Sequence, residues 1–250
     1  MSNVIGVIPA RWQATRFPGK MLAEISGKPL IQRVWEQAAK SGALSRLLVA
    51  TDDDRIAEAV RSFGGEAVMT QPDHPSGTDR VAEAVQGIDA AALINIQGDE
   101  PLIEPALIDE LARAICGPGD WDMVTAAEPL ADAALIAQPS VVKVVCDETG
   151  RALYFSRAPI PYSRETCRAG SGAPLHYRHV GIYGYRRDFL QRLVAAPPSL
   201  LEQAEKLEQL RALHIGGRIK VIVTSHHAVG VDEPADIQRV EAALRHAGKE

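Results

Sequence analysis

Apolar residues along this chain follow two alternating rhythms. Short runs rich in β-branched residues, Val4 to Pro9, Arg46 to Thr51, Glu66 to Thr70, Ala92 to Gln97 and Met123 to Pro129, predict strands. Between them lie longer stretches whose apolar positions recur every three to four residues. Pro29 to Ser41 carries Ile31, Val34 and Ala38 at that spacing, opens on a proline suited to a first helical turn, and stops at Gly42. Asp53 to Phe63 repeats the pattern and closes at Gly64-Gly65; Thr78 to Val85 and Pro105 to Ile115 predict two further helices.

Strand and helix in alternation predict an α/β fold, a Rossmann-like, mostly parallel sheet with helices on both faces. Ligands of such sheets collect at the carboxyl ends of the strands. The second half changes rhythm. Val141 to Asp147 and Arg151 to Ser156 flank Glu148-Thr149-Gly150 as a hairpin, and His179 to Arg186 alternates as another strand. Ala158 to Pro174, punctuated by Pro159, Pro161, Gly170 and Gly172, reads as a surface loop. Leu200 to Leu213 predicts a helix, Lys220 to Thr224 a returning strand and Pro234 to His246 a terminal helix. We therefore expect one domain over 1–250, with a smaller β-rich insertion at about 130–190.

Composition narrows the function classes. With 250 residues, 46% hydrophobic and 24% charged, the chain can bury a full core. A net charge of -5 argues against a partner that needs a broad cationic surface, so no nucleic acid is expected. The longest apolar run, Val4 to Pro9, is too short to span a bilayer, and the first residues lack a basic segment leading into an apolar core. The expected location is the cytoplasm, away from membranes. Cys116, Cys146 and Cys167 are widely spaced and odd in number, without a zinc or disulfide pattern, which fits a reducing compartment.

Candidate chemistry gathers at predicted strand ends. The first strand runs into Pro9-Ala10-Arg11-Trp12-Gln13-Ala14-Thr15-Arg16-Phe17-Pro18-Gly19-Lys20, which crowds Arg11, Arg16 and Lys20 into one loop. Forked guanidinium groups and an ammonium suit a triphosphate, although the Walker and dinucleotide fingerprints are both absent. A plain solvated loop would read the same way. Ala92 to Pro101 is a buried strand ending in a turn with Gln97, Asp99 and Glu100; Asp99 is either a turn or cap residue, or a magnesium ligand. Asp232, just before Pro234, likewise reads as a helix cap or a metal carboxylate, and the two roles are compatible. Adjacent His226 and His227 would point to opposite faces of a strand and so not share an ion.

In Thr70 to Arg80, Ser76 or Thr78 suits a helix cap, Ser76-Gly77 permits close approach to a base or ribose, and Arg80 sits in the first turn, where the helix dipole disfavours a cation. An anionic partner for Arg80 is expected. Alternation over Arg178 to Tyr185 puts His179, Gly181, Tyr183 and Tyr185 on one face, either a ligand wall or an edge that meets a second subunit. Glu208 and Gln209, in Leu207 to Arg211, offer hydroxyl-binding groups or a merely solvated surface.

In this order the motifs resemble the 3-deoxy-manno-octulosonate (Kdo) cytidylyltransferases of lipopolysaccharide biosynthesis. The likeness runs nearly end to end: Ile8-Pro-Ala-Arg11, Arg16-Phe-Pro-Gly-Lys20, Ala50-Thr-Asp52, Ser76-Gly-Thr-Asp-Arg80, Asn95-Ile-Gln-Gly-Asp-Glu-Pro101, Ala152-Leu-Tyr-Phe-Ser-Arg157, Arg178-His-Val-Gly-Ile-Tyr-Gly-Tyr185, Leu207-Glu-Gln-Leu-Arg211 and Gly230-Val-Asp232. The resemblance implies a transferase that uses CTP and Kdo with Mg2+ as cofactor, and a homodimer. It implies that Arg11 and Lys20 hold the phosphates, that Pro9, Ala10, Ser76 and Gly77 frame the nucleotide, and that Asp99 and Asp232 bind the metal. Arg80, Gln97, His179, Tyr183, Glu208 and Gln209 would face the sugar acid. Arg11, Lys20 and Asp99 are then the expected catalytic groups. The sequence departs from the family's usual pattern at Ala14, Pro75 and Asp79, which touches fine contacts to phosphate and sugar. Two other readings stay open: a related nucleotidyltransferase for another acceptor, such as 8-amino-Kdo or a sialic acid, and a nucleotide-binding regulator without catalysis.

Overall fold

The computed structural model describes residues 3–13, 17–164, 174–226 and 229–246. The elements follow one another as β1 (Val4–Ala10), β2 (Glu24–Ile25), β3 (Lys28–Pro29), α1 (Leu30–Ala38), β4 (Arg46–Thr51), α2 (Asp54–Ser62), β5 (Glu66–Met69), α3 (Gly77–Ala84), β6 (Ala92–Asn95) and α4 (Pro105–Cys116). There follow β7 (Met123–Leu130), α5 (Ala133–Ala137), β8 (Lys143–Cys146), β9 (Ala152–Ser156), β10 (His176–Arg186), α6 (Arg187–Ala195), α7 (Leu200–Glu205), α8 (Gln209–His214), β11 (Ile219–Val223) and α9 (Asp236–His246). Among the described residues no helix is long and apolar enough to cross a membrane.

The main sheet runs β11-β7-β10-β6-β1-β4-β5. β1 lies parallel to β4 and β6, β4 to β5, and β7 to β11, whereas β10 is antiparallel to both its neighbours. The expected mostly parallel α/β sheet is present. Its strands are apolar on both faces because helices cover both: Val4 and Ile8 of β1 pack into one core with Leu30, Val34, Leu107 and Val240, while Ile5 and Val7 pack into the other with Val81, Phe189 and Leu190.

β8 and β9 form the predicted antiparallel hairpin, and Tyr177 and Arg178 at the start of β10 pair with β8. The strand predicted from His179 begins three residues earlier and lies inside the sheet, between β6 and β7, rather than on an edge. The expected Ala158 to Pro174 loop falls largely on 165–173, outside the described residues. Pro29, expected in a first helical turn, pairs with Glu24 and precedes α1. The single helix expected from Leu200 to Leu213 is two, because Lys206 takes a left-handed conformation (φ 55°) and the Leu207 N–H closes back on the Glu202 carbonyl at 3.3 Å. α6 was not anticipated; it follows β10 directly and buries Phe189, Leu190 and Leu193.

Register along β10 and β7 slips between Val180 and Tyr183: Val180 stands opposite Ala126 and Tyr183 opposite Thr125, so two extra residues lie on β10. An even insertion preserves side-chain alternation. Val180 and Ile182 stay in the α4-side core, and Tyr183 and Tyr185 stay on the other face. The buried Thr125 hydroxyl stitches the irregularity, donating to the Ile182 carbonyl at 2.8 Å and lying 2.9 Å from His179 Nε2. Burial pushes the His179 imidazole down to about 3, so the ring is neutral as it packs edge-on to Phe155 and tilted against Tyr183.

Gly184 marks where β10 meets its neighbours most closely, since a Cβ there would lie 2.6 Å from Val124 Cγ2 and 3.0 Å from Ile94 Cδ1. Gly184→Val should therefore cost about 1–3 kcal/mol of stability, measured by urea unfolding. An unfolded imidazole takes up a proton below its ordinary 6.5, but folded His179 resists until about 3. Stability should fall as pH drops through that window, and His179→Phe should flatten the decline in melts run from pH 7 to 3.

Candidate active site

The loop leaving β1 is built around an indole. The Gly19 N–H donates to the Trp12 carbonyl (3.0 Å), and Gly19, at φ 70°, lies so close to the Trp12 ring that an added Cβ would sit 2.9 Å from it. On the Trp12 ring lies the Arg55 guanidinium, 3.3 Å from the centroid and forked onto Asp53 at 2.9 and 2.7 Å. Lys20 follows Gly19 directly. Its ammonium donates to Asp99 Oδ2 (2.8 Å) and to the Val231 carbonyl (3.0 Å), while the Val231 N–H donates to the Asp99 carbonyl (2.9 Å). Loops following β1, β6 and β11 are thereby joined at one edge of the sheet. Arg11 stands exposed beside them; Arg16 and Ala14 lie outside the described residues.

Asp99 caps no helix, since α4 begins six residues later with Glu104 at its N-cap. Asp232 stands four residues before the first helical residue of α9. α9 starts at Asp236, whose own carboxylate accepts the N–H groups of Asp232 and Glu233 at 2.8 and 2.9 Å. Both Asp99 and Asp232 line a cleft of about 360 Å³, and both also line a neighbouring cavity of about 480 Å³ with Glu100 and Arg178. Burial, then the Asp99 carboxylate, pushes the Glu100 carboxyl up to about 7 against the opposing Arg178 guanidinium. Two carboxylates on one cleft offer the hard oxygen donors of a magnesium site while leaving most of its shell to phosphate and water. Among the described residues, His, Cys, Asp and Glu side chains form no metal-binding group of three or more.

The cleft brings together Pro9, Arg11, Lys20, Ser76, Gly77, Arg80, Gln97, Asp99, Glu208 and Asp232. Ala10 instead packs into the core, fully buried. Ser76 caps α3, accepting the Asp79 N–H (3.2 Å) and donating to the Asp79 carboxylate (2.6 Å). Arg80 is 2% exposed and already has an anion in the protein: Asp52 Oδ1 lies 3.5 Å away, and a further guanidinium hydrogen goes to the Thr70 hydroxyl (2.5 Å). Burial lowers its pKa, Asp52 opposes that shift, and Arg11 adds to it.

A second cavity of about 200 Å³ shares Gly77, Gln97 and Glu208 with the cleft and continues to Thr78, Asn95, Tyr183, Tyr185 and Gln209. Thr78 donates to the Glu208 carboxylate at 2.7 Å. The Tyr183 and Tyr185 rings lie tilted to each other with centroids 6.2 Å apart, and burial pushes both phenols above their ordinary range. Among the described residues, Asn95 Oδ1 and Gln209 Nε2 are buried without a hydrogen-bond partner, an acceptor and a donor in one pocket. His179 lines neither cavity; it stands next to Tyr183.

Sequence reasoning missed several lining groups. His74 lines the cleft with its ring against the Glu83 carboxylate, which also accepts the Gln71 N–H at 2.9 Å. Nothing in its loop spacing marks it. Asn95 lay inside a recognised motif but was not assigned, because its pairing with Tyr183 across β6 and β10 is a tertiary fact, and Tyr185 was placed on the ligand-wall face without a role of its own.

Residues 5–221 match the family model described as cytidylyltransferase. The chain is 49% identical over 249 residues to 3-deoxy-manno-octulosonate cytidylyltransferase from Geobacter sulfurreducens, covering 97% of this chain and 100% of that one. The enzyme of the same name from Syntrophotalea carbinolica is 49% identical over 247 residues, covering 97% and 99%. A solved structure of CMP:2-keto-3-deoxy-manno-octonic acid synthetase complexed with CTP superposes at a TM-score of 0.91 with 43% identity, over 98% of this chain and 100% of that one. A 4-diphosphocytidyl-2C-methyl-D-erythritol synthase from Anaerococcus prevotii, 11% identical at a TM-score of 0.65 over 98% and 99%, shares the fold. With its motifs gathered on one cleft and its whole length matched, the chain belongs to the 3-deoxy-manno-octulosonate cytidylyltransferase family.

Proposed function

We propose that the chain transfers the CMP group of CTP to the anomeric hydroxyl of Kdo, releasing pyrophosphate and giving CMP-Kdo for lipopolysaccharide biosynthesis. The observation that carries this reading is the convergence of Arg11, Lys20, Asp99 and Asp232 on one cleft in a chain related over its whole length to enzymes of that name. The hydroxyl oxygen of Kdo bonds to the α-phosphorus as the bond to the bridging oxygen breaks. Pyrophosphate departs with that electron pair, and the hydroxyl proton passes to solvent.

Arg11 and Lys20 grip the phosphates; the second loses little freedom in doing so, because Asp99 and Val231 already hold its ammonium. Pro9, the Ala10 backbone, Ser76 and Gly77 frame the nucleotide. Arg80, Gln97, Tyr183, Glu208 and Gln209 face the sugar acid, and His179 supports that wall from behind Tyr183. An enzyme of this class works with a divalent metal. We assign Mg2+, held by Asp99 and Asp232, where it would neutralise phosphate charge. A cytoplasmic location fits the free cysteines Cys116 and Cys146. A homodimer fits the apolar cavity of about 510 Å³ lined by Val144, Leu175, Tyr177 and Val223 on the β8–β9 side.

Three outcomes follow. Asp99→Asn should lower kcat for pyrophosphate release from CTP and Kdo by about 10²-fold or more while circular dichroism stays unchanged, the scale of removing one electrostatic stabiliser. Near-normal turnover would refute the metal and phosphate assignment. Chelation by EDTA should abolish release and added Mg2+ should restore it. Gln209→Leu removes a buried donor with no partner among the described residues, so it should leave melting temperature level or higher yet raise the KM for Kdo about 10-fold, without moving that for CTP. Equal activity with a sialic acid would count against the Kdo assignment.

A further inference from the structure

Behind the acceptor pocket lies a cluster of charged groups that touches neither cavity. Lys143 is fully buried, and its ammonium donates to three main-chain carbonyls, those of Gln138 (3.1 Å), Val141 (2.5 Å) and Arg157 (2.6 Å). Glu205, the last residue of α7, accepts the Ser156 hydroxyl (2.6 Å) and the Arg157 N–H (2.9 Å). Arg157 answers in return: its Nε donates to the Glu205 carbonyl (2.6 Å) and its Nη1 to the Pro139 carbonyl (3.0 Å). Burial pulls the Lys143 pKa down, and the negative charge of Glu205 opposes that shift. The end of β9 is thus fastened to the end of α7 by both side chain and main chain.

What the cluster grips is the turn that aims two pocket residues. The left-handed Lys206 comes immediately after Glu205; then come buried Leu207, Glu208 bonded to Thr78, and Gln209, which is 3% exposed. Holding that turn by itself does not require this cluster. The Leu207 N–H to Glu202 carbonyl bond and the forked Arg211–Glu202 pair (2.8 and 2.5 Å) already close the corner between α7 and α8. Burying an ammonium group is costly, and apolar residues of equal size generally do as well or better for stability. Geometry is what an ionic cluster adds.

We infer that Lys143, Arg157 and Glu205 are positioning residues for the acceptor: they hold the Lys206 turn in place and so set where Glu208 and Gln209 meet the sugar acid. The inference rests on the acceptor assignment proposed above and extends it to residues that touch no substrate.

The test is steady-state pyrophosphate release by the full chain, varying CTP and Kdo separately, with melting temperature recorded for each variant. Glu205→Ala should raise the KM for Kdo about 10-fold, the scale of losing hydrogen bonds to a charged group, and leave that for CTP within about twofold. Glu205→Gln keeps the shape and one acceptor oxygen, and the Ser156 hydroxyl can turn to accept from its amide, so it should bring the KM for Kdo back to within about threefold of wild type. Ser156→Ala removes the hydroxyl's bond to the Glu205 carboxylate and the one it accepts from the Ala158 N–H (3.0 Å), leaves every charged group and the Arg157 contacts in place, and should give the same split at about two- to fourfold. Parallel rises in both KM values, or a fall in melting temperature with neither KM changed, would overturn the inference. If the wild-type chain released no pyrophosphate from CTP and Kdo, the functional reading itself would fail, a result separate from any behaviour of the variants.

Discussion

One ion pair sets the terms for the rest of the site. Lys20 and Asp99 meet at 2.8 Å with side chains 12% and 31% exposed, and the same ammonium reaches the Val231 carbonyl. Partial burial matters here, because a pair screened by bulk water would contribute little and hold nothing in place. Among the described residues, two of the ammonium's three hydrogens are thereby committed. The bonds run between loops that follow β1, β6 and β11, three segments far apart in sequence. Parallel strands deliver their carboxyl ends to one edge, which is why groups from such distant segments can share a cleft at all.

The acceptor side is organised by a different device. β10 runs against its neighbours, so its tyrosines arrive beside Asn95 and Gln97 from the opposite direction, and Thr125 secures the place where the two ladders fall out of step. The wall they make joins aromatic surface to buried polar atoms. Such a wall rejects poorly matched ligands through unpaired hydrogen-bonding groups more sharply than an apolar wall would.

Much of this was legible from residue order. β1, β4, β6 and β7 were readable because strands buried on both faces are written as near-continuous apolar runs, the edge strand β5 because a short apolar run follows Gly64-Gly65, and helices α1 to α4 because their apolar stripes recur with helical spacing and their ends carry Pro or Gly punctuation. Where punctuation failed, so did the reading. α6 begins straight after β10 without a turn residue, and the α7–α8 break rests on a lysine in a conformation that lysine does not advertise. The role of Asp232 was undecidable in sequence, because no local pattern says that Asp236 turns its carboxylate back onto the Asp232 and Glu233 N–H groups. Asp52 beside Arg80, and His74 in the cleft, depend on contacts between separate segments that no local pattern encodes.

The two surplus residues in β10 also constrain how this strand can change length. Side chains in a strand alternate, so an insertion or deletion of one residue between Val180 and Tyr183 would turn Tyr183 and Tyr185 toward the α4 core and bring apolar neighbours round to the pocket. Losing both would straighten the strand yet leave the tyrosines facing as they do now. Length in this strand therefore counts by parity: descendants of this sequence can gain or shed residues there in pairs, and pay with the acceptor pocket for any odd step.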